Sequence, residues 1–366
     1  PRILLRRPPR STPVTPRRQR QMCIRDRFKT DEQGNQEARF NMLDTLREFA
    51  LQKLEEVGES GQFRERFCDW VVELAESSVE ELRGANSDSR IGRLDLEQIN
   101  LQAAIDYCRG KTPPDWDRAL RIGGGVWLYW FERGMLSTSR ELFEHALREI
   151  PGVDDSIRAL PLRALGSVAR FQNDLETAER ACRTSLDIYT RLNDPAGQGN
   201  VLGELGAIAQ RQGDMEKAAD CLDKALQLFE RAPDDLHGRS FAASARGVIN
   251  HLEGDLQGAR AFYEAALETG SKSGDTDSIA SALVNLGEVE EAEGDYEKAY
   301  DHYTKCLGLY AHRGKKVAIA YCAEIIAGLS TKHRERPSDA AIFFGFADAL
   351  RKEIEAPIES FNAERL

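Results

Sequence analysis

The chain has 366 residues, 41% hydrophobic and 30% charged, with a formal net charge of −11. That length and apolar fraction exclude wholesale disorder and allow one to three domains with real cores. Nine Arg and one Asp give residues 1–27 a charge of +8, leaving −19 on 28–366, a field that opposes binding of duplex DNA.

Residues 1–27 (PRILLRRPPRSTPVTPRRQRQMCIRDR) hold five of the 13 prolines. Read physically, they form an extended, disordered basic tail, and an Arg-rich nucleic-acid arm or transit peptide would have this composition. Gln21–Arg27 looks like translated sequencing adapter, so the stretch is set aside from fold reasoning and the native protein is expected to continue upstream of residue 28.

From residue 36 the pattern predicts a helical adaptor over 36–112. Met42, Leu43, Leu46, Phe49, Ala50 and Leu54 fall at helical spacing in a helix over 39–59 that Gly58 ends. A second helix is predicted over 62–83 and a third over 94–109, with Thr112–Asp115 and its Pro113-Pro114 pair as the linker.

Beyond it the sequence repeats itself. Segments 165–186, 205–226, 246–267 and 286–307 align, with glycines at Gly166, Gly206, Gly247 and Gly287. Eight residues on come Asp174 after Asn173, then Gly213-Asp214, Gly254-Asp255 and Gly294-Asp295. Four residues beyond each Asp stands Ala178, Ala218, Ala259 or Ala299. The first glycine lets a neighbouring helix approach closely, although a helical glycine costs about 1 kcal/mol. The Gly or Asn ends that helix in the left-handed conformation, the Asp caps the next, and the alanine marks a close helix contact. Leu222, Tyr263 and Tyr303 take large packing positions. Each unit is a helical hairpin.

These residues resemble the tetratricopeptide repeat. Its usual period is 34, so the extra residues here, about six per unit, are expected in a longer second helix or inter-unit loop. Weaker units lie at 127–147 (Gly134, Phe143, Ala146) and 327–350 (Gly328, Ala340, Phe344, Ala347), as expected for solenoid ends. The predicted fold is all-α: a right-handed superhelix of about six hairpins over 120–355. No clear polar capping helix precedes Leu366, which reads as truncation there too.

A second resemblance covers about 70 residues. Arg39–Leu54, a Trp-bearing helix, and Glu97-x-x-Asn100-Leu101-x-Ala103-Ala104 are similar to a stretch of bacterial STAND-type ATPases. Those include transcriptional regulators with LuxR-like or SARP-like DNA-binding domains, and some adenylate cyclases and kinases. The resemblance implies the C-terminal sensor arm of a signalling protein, with an ATPase and output domain upstream. No G-x-x-x-x-G-K-[ST] loop occurs. Gly123-Gly124-Gly125 lacks the Lys, and Arg313–Lys316 reads as an inter-helix loop, so no nucleotide-binding residue is carried over.

No catalytic or metal constellation stands out. The seven cysteines are scattered without a CxxC pair, and the six histidines form no H-E-x-x-H. Neither cofactor nor metal is expected, and the activity is read as non-enzymatic. The aromatic run Trp127, Tyr129, Trp130 and Phe131 is read as packing of the first hairpin rather than a ligand box. In this fold the first helix of each unit lines a groove. The positions carried over are Leu128, Phe131, Arg163, Arg170, Phe171, Gln210, Arg211, His251 and Glu288, where three arginines offer a clamp for an anionic group. The expected partner is a protein, peptide or small effector, with no direct nucleic-acid or membrane contact, in a reduced cytoplasmic setting. A free-standing scaffold, or the regulatory arm of a cyclase or kinase, is the alternative.

Overall fold

The computed structural model describes residues 24–30, 36–42, 44–149, 154–332 and 337–353. An antiparallel hairpin comes first, β1 (Ile24–Thr30) with β2 (Gln36–Met42), registered so that Ile24 faces Met42 and Thr30 faces Gln36. All else that is regular among the described residues is helical. The helix predicted over 39–59 is shorter than expected, because Arg39–Met42 belong to β2 and α1 spans Asp44–Glu56. Along β2, Ala38, Phe40 and Met42 alternate with Glu37, Arg39 and Asn41, the period of a strand. Ile24–Arg27, inside the stretch read as adapter, pair with Arg39–Met42. Residues 1–23, the rest of that stretch, lie outside the described residues.

Two compact units make up the chain. One runs to Pro161 without Arg83–Ala85; the other holds those three residues and everything from Leu162. This division falls inside a helix, between Pro161 and Leu162. In the first unit α2 (Ser60–Glu81), α3 (Ser87–Gly110), α4 (Trp116–Glu132) and α5 (Leu136–Glu149) pack together.

The reason is the glycine triplet. Successive helical residues point about 100° apart, and each glycine faces a different neighbour. A Cβ on Gly123 would sit 2.8 Å from Leu142 of α5, and one on Gly124 would sit 3.3 Å from Pro161. A Cβ on Gly125 would fall 2.4 Å from the Ala75 carbonyl oxygen, so α4 meets the backbone of α2 itself. An ion cluster strengthens the joint. Glu65 of α2 takes Lys111 at 2.9 Å, the Tyr107 hydroxyl at 2.9 Å, and Arg118 of α4; those bonds hold its carboxyl at about 2. Trp127, Tyr129 and Trp130 are buried and Phe131 partly so, as packing requires.

The second unit is a stack of hairpins. In chain order they are α6 (Asp155–Phe171, entering at Leu162) with α7 (Leu175–Arg191), then α8 (Pro195–Gln212) with α9 (Met215–Glu230). Next come α10 (Leu236–Leu252) with α11 (Leu256–Ser273), and α12 (Thr276–Glu293) with α13 (Tyr296–Arg313). The last pair is α14 (Lys316–Lys332) with α15 (Pro337–Glu353). With α4 and α5 this makes six hairpins among the described residues. From α6 to α14 both helices of a pair run 16 to 18 residues. The extra residues of the long period therefore go into the helices, and the inter-unit loops stay short.

Each recurrent residue does what its chemistry predicts. Asp174, Asp214, Asp255 and Asp295 cap the second helices, accepting from backbone amides three residues on at 2.9 to 3.3 Å. Gly213 (φ +82°) and its counterparts, down to Asn173 (φ 62°), hold the left-handed turn before the cap. Gly287 is met closely by the ring of Tyr303, Gly247 by Tyr263, and Gly206 by Leu222 at 2.7 Å from a would-be Cβ. Ala178, Ala218, Ala259 and Ala299 have no exposure at all. First helices touch one another, α8 with α10 and α10 with α12, forming one layer of the stack.

Polar ties join successive repeats. Asp275 caps α12 and accepts from His237 Nδ1 of α10 at 2.8 Å. Burial alone would push its carboxyl up, but the His237 hydrogen bond and charge, with the Ser278 hydroxyl and amide, hold it at about 2. A carboxyl depressed by folding stabilises above its unfolded value of about 4 and loses that contribution as pH falls towards 2. Acid titration of unfolding free energy should therefore show a loss of about 2 kcal/mol in that window. Asp275→Asn, which keeps a capping oxygen, should remove it; an unchanged pH slope in the variant would refute the assignment.

Candidate functional site

The groove residues read from the sequence lie on first helices, and the structure distributes them unevenly. Leu128 and Phe131 are half-buried on α4 in the first unit. The other seven belong to the second unit. His251 is half-buried in the last turn of α10, and Glu288 half-buried on α12.

Around the C-terminal halves of α6 and α8 the structure brings five groups together. Arg170 is 8% exposed, and its Nε donates to Glu204 Oε2 of α8 at 3.0 Å. The Ser167 hydroxyl donates to the other oxygen of Glu204 at 2.8 Å. Arg211 donates from Nη1 to the Arg170 carbonyl at 3.2 Å. Both guanidiniums lie over the Phe171 ring, at 4.4 Å for Arg170 and 6.0 Å for Arg211. That ring is 44% exposed. Gln210, half-buried, precedes Arg211 on α8.

Of the three arginines read as a clamp, Arg211 alone is exposed. Arg163 is buried, and Arg170 is paired with Glu204. Neither is a solvated arginine. Arg211 is exposed, and among the described residues no carboxylate pairs with it. Charge and aromatic surface thus coincide at Arg211 and Phe171. A guanidinium beside a half-exposed ring suits a carboxylate or phosphate carried next to an apolar group.

Sequence reasoning missed Glu204, yet it left a signal. It is the one acid in the run Val201–Ala209 (VLGELGAIA), and a buried acid requires a partner. The same rule finds two more pairs: Glu324, within Val317–Leu329, takes Arg351 at 2.8 Å, and buried Glu290 takes Arg260 of α11. Among the described residues no group of three His, Cys, Asp or Glu is placed to hold a metal ion. No described helix is long and apolar enough to cross a membrane.

The architecture defines a class: an α-solenoid of tetratricopeptide type. Residues 197–272 and 239–312 match the tetratricopeptide-repeat family model. Solved structures agree at the level of fold. A Rap protein complexed with competence and sporulation factor superposes with a TM-score of 0.59 at 12% identity, covering 79% of this chain and 78% of its own. The Cut9–Hcn1 hetero-tetramer of APC/C gives 0.56 at 17%, covering 88% and 58%. BtubC from P. vanneervenii gives 0.50 at 18%, covering 62% and 92%. In sequence the chain is similar to proteins named as candidate HTH-type transcriptional regulators in Mycobacterium bovis and Mycobacterium tuberculosis, 26% identical over 319 residues. The match takes in 79% of this chain, which spans about a third (35%) of those relatives. Tetratricopeptide solenoids are in general interaction modules that present an extended binding surface, not catalysts.

Proposed function

We propose that the chain is a non-catalytic recognition arm of a regulator, binding an acidic protein or peptide segment on the layer of first helices. The observation that carries this reading is the exposed Phe171 ring beside Arg211, a cation without a carboxylate partner, on an otherwise acidic body. A segment offering a carboxylate next to an aromatic or aliphatic side chain matches both groups. Gln210, His251 and Glu288 extend the same layer and would orient the partner through polar contacts. The relatives named as HTH-type regulators favour a role in transcription control, and the Rap structure, solved in complex with competence and sporulation factor, shows a solenoid of this fold holding a partner. In the whole protein, occupation of this arm would shift an upstream ATPase or output domain between closed and open assemblies. A scaffold that docks partners without such a domain would use the same surface.

The test is a peptide array graded in acidic and aromatic content, probed with the full chain. Arg211→Ala should weaken acidic–aromatic members about tenfold, the loss of one charge-assisted contact, and Phe171→Ala should do the same, with helicity unchanged in both. Affinity indifferent to Arg211→Ala would end the reading. Arg170→Ala is unsuitable as a probe, because it strands Glu204 in the interior.

A further inference from the structure

The repeat supplies its own control for the surface of the second helices. At two equivalent positions one turn apart, α7 carries Arg180 and Thr184, α9 carries Asp220 and Lys224, and α13 carries Asp301 and Lys305. In α11 they are Ala261 and Ala265. In α15 the same positions hold Ile342 and Phe346, which are 68% and 48% exposed. Gly345 and Ala349 line the same face, and nothing lies within 4 Å of a Cβ built on Gly345. Two large apolar side chains thus stand beside open space at Gly345. Another repeat stacked after α15 would leave this face bare, since the equivalent residues of α7 and α9 remain largely exposed with repeats following them.

We propose that this face of α15 is a docking surface for a second copy of the chain, paired antiparallel about a two-fold axis. The argument is self-complementarity, which an isologous contact demands. Let the axis pass between Gly345 and Phe346. Phe346 then fills the open space over the partner's Gly345, and Ile342 lies on the partner's Ala349. The charges follow the same symmetry. Asp339 stands in the first turn of α15 and Lys352 in the last, so each Asp339 faces the partner's Lys352. Lys352 is 75% exposed, and among the described residues its ion pair is the surface one with Asp348, which costs little to exchange. Small residues between the large ones allow close helix approach. One helix pair buries little area, so the dimer is reversible and depends on concentration. None of the residues of the recognition reading takes part.

Sedimentation velocity of the full chain over a concentration series tests this. The wild type is expected to pass reversibly from monomer to dimer. Phe346→Glu should abolish the dimer with the far-ultraviolet circular dichroism unchanged. Gly345→Leu should abolish it too, by occupying the space the partner's Phe346 needs, while its higher helix propensity maintains or raises the melting temperature. Asp339→Lys should weaken association, and adding Lys352→Glu should restore it, which an antiparallel pair alone predicts. A wild type monomeric at its highest soluble concentration overturns the proposal, whether the face is bare or serves a different protein. So does a dimer that survives Phe346→Glu or Gly345→Leu.

Discussion

Phe229→Ala should lower the unfolding free energy of the second unit by about 3–5 kcal/mol, the usual loss for truncating a fully buried phenylalanine. The ring has no exposure, and it closes on two first helices at once: its Cζ lies 2.8 Å from a would-be Cβ on Gly199 of α8 and 2.6 Å from one on Gly238 of α10. Truncation therefore leaves a cavity bounded by three helices of two repeats. Both glycines exist to admit that ring, so neither side can collapse into the space. In a solenoid, stability is a sum of repeat terms and nearest-neighbour interfaces, and Phe229 sits on one such interface. Urea unfolding followed by circular dichroism should accordingly turn from one transition into two. A loss below about 1 kcal/mol would mean that the α8–α9 and α10–α11 hairpins are coupled by something other than this ring.

Glu204→Ala should cost a comparable 3–5 kcal/mol, for a different reason. Glu204 and Arg170 are both nearly buried, and Ser167 completes the carboxylate. Removing the acid leaves a guanidinium in a site from which water is largely excluded. The pair itself contributes little net stability, because desolvation of two charges offsets their attraction. The double variant Glu204→Leu with Arg170→Met should therefore recover most of the loss. If the double variant is as unstable as Glu204→Ala alone, the fault lies in packing around α8 and not in the stranded charge. Because Arg170 stacks on Phe171, the cycle also reports whether that ring keeps its orientation, through binding of the acidic–aromatic peptides.

Much of the repeat was legible because its rules are local. Asp214 caps α9 three residues from the amide it serves, and Gly213 reaches φ +82° through its own backbone freedom. Asp235 and Asp275 do the same for first helices, a signal equally present in the sequence but unread. The strand over 36–42 was obscured because Met42 and Leu46 fit helical spacing as well as Ala38, Phe40 and Met42 fit a strand. Pairing with Ile24–Thr30 settles the choice, and pairing is not a property of either segment alone.

Arg170 shows the same limit at the site. An arginine on a first helix reads as exposed, since unpaired arginine is rarely buried. Its partner Glu204 is 34 residues away and belongs to the next repeat, at a distance set by how two hairpins stack. The glycine triplet was recognised as lacking phosphate-loop chemistry, but nothing in its spelling says that Gly125 meets the carbonyl of Ala75. By itself the sequence determined the hairpin, its caps, its turns and its period, all of which depend on atoms within a few residues of one another. The tertiary structure alone decided which arginine keeps its charge available, where the compact units divide, and which helix face stands uncovered. Those depend on the packing of surfaces far apart in the chain, where a partner's position matters as much as a residue's own chemistry.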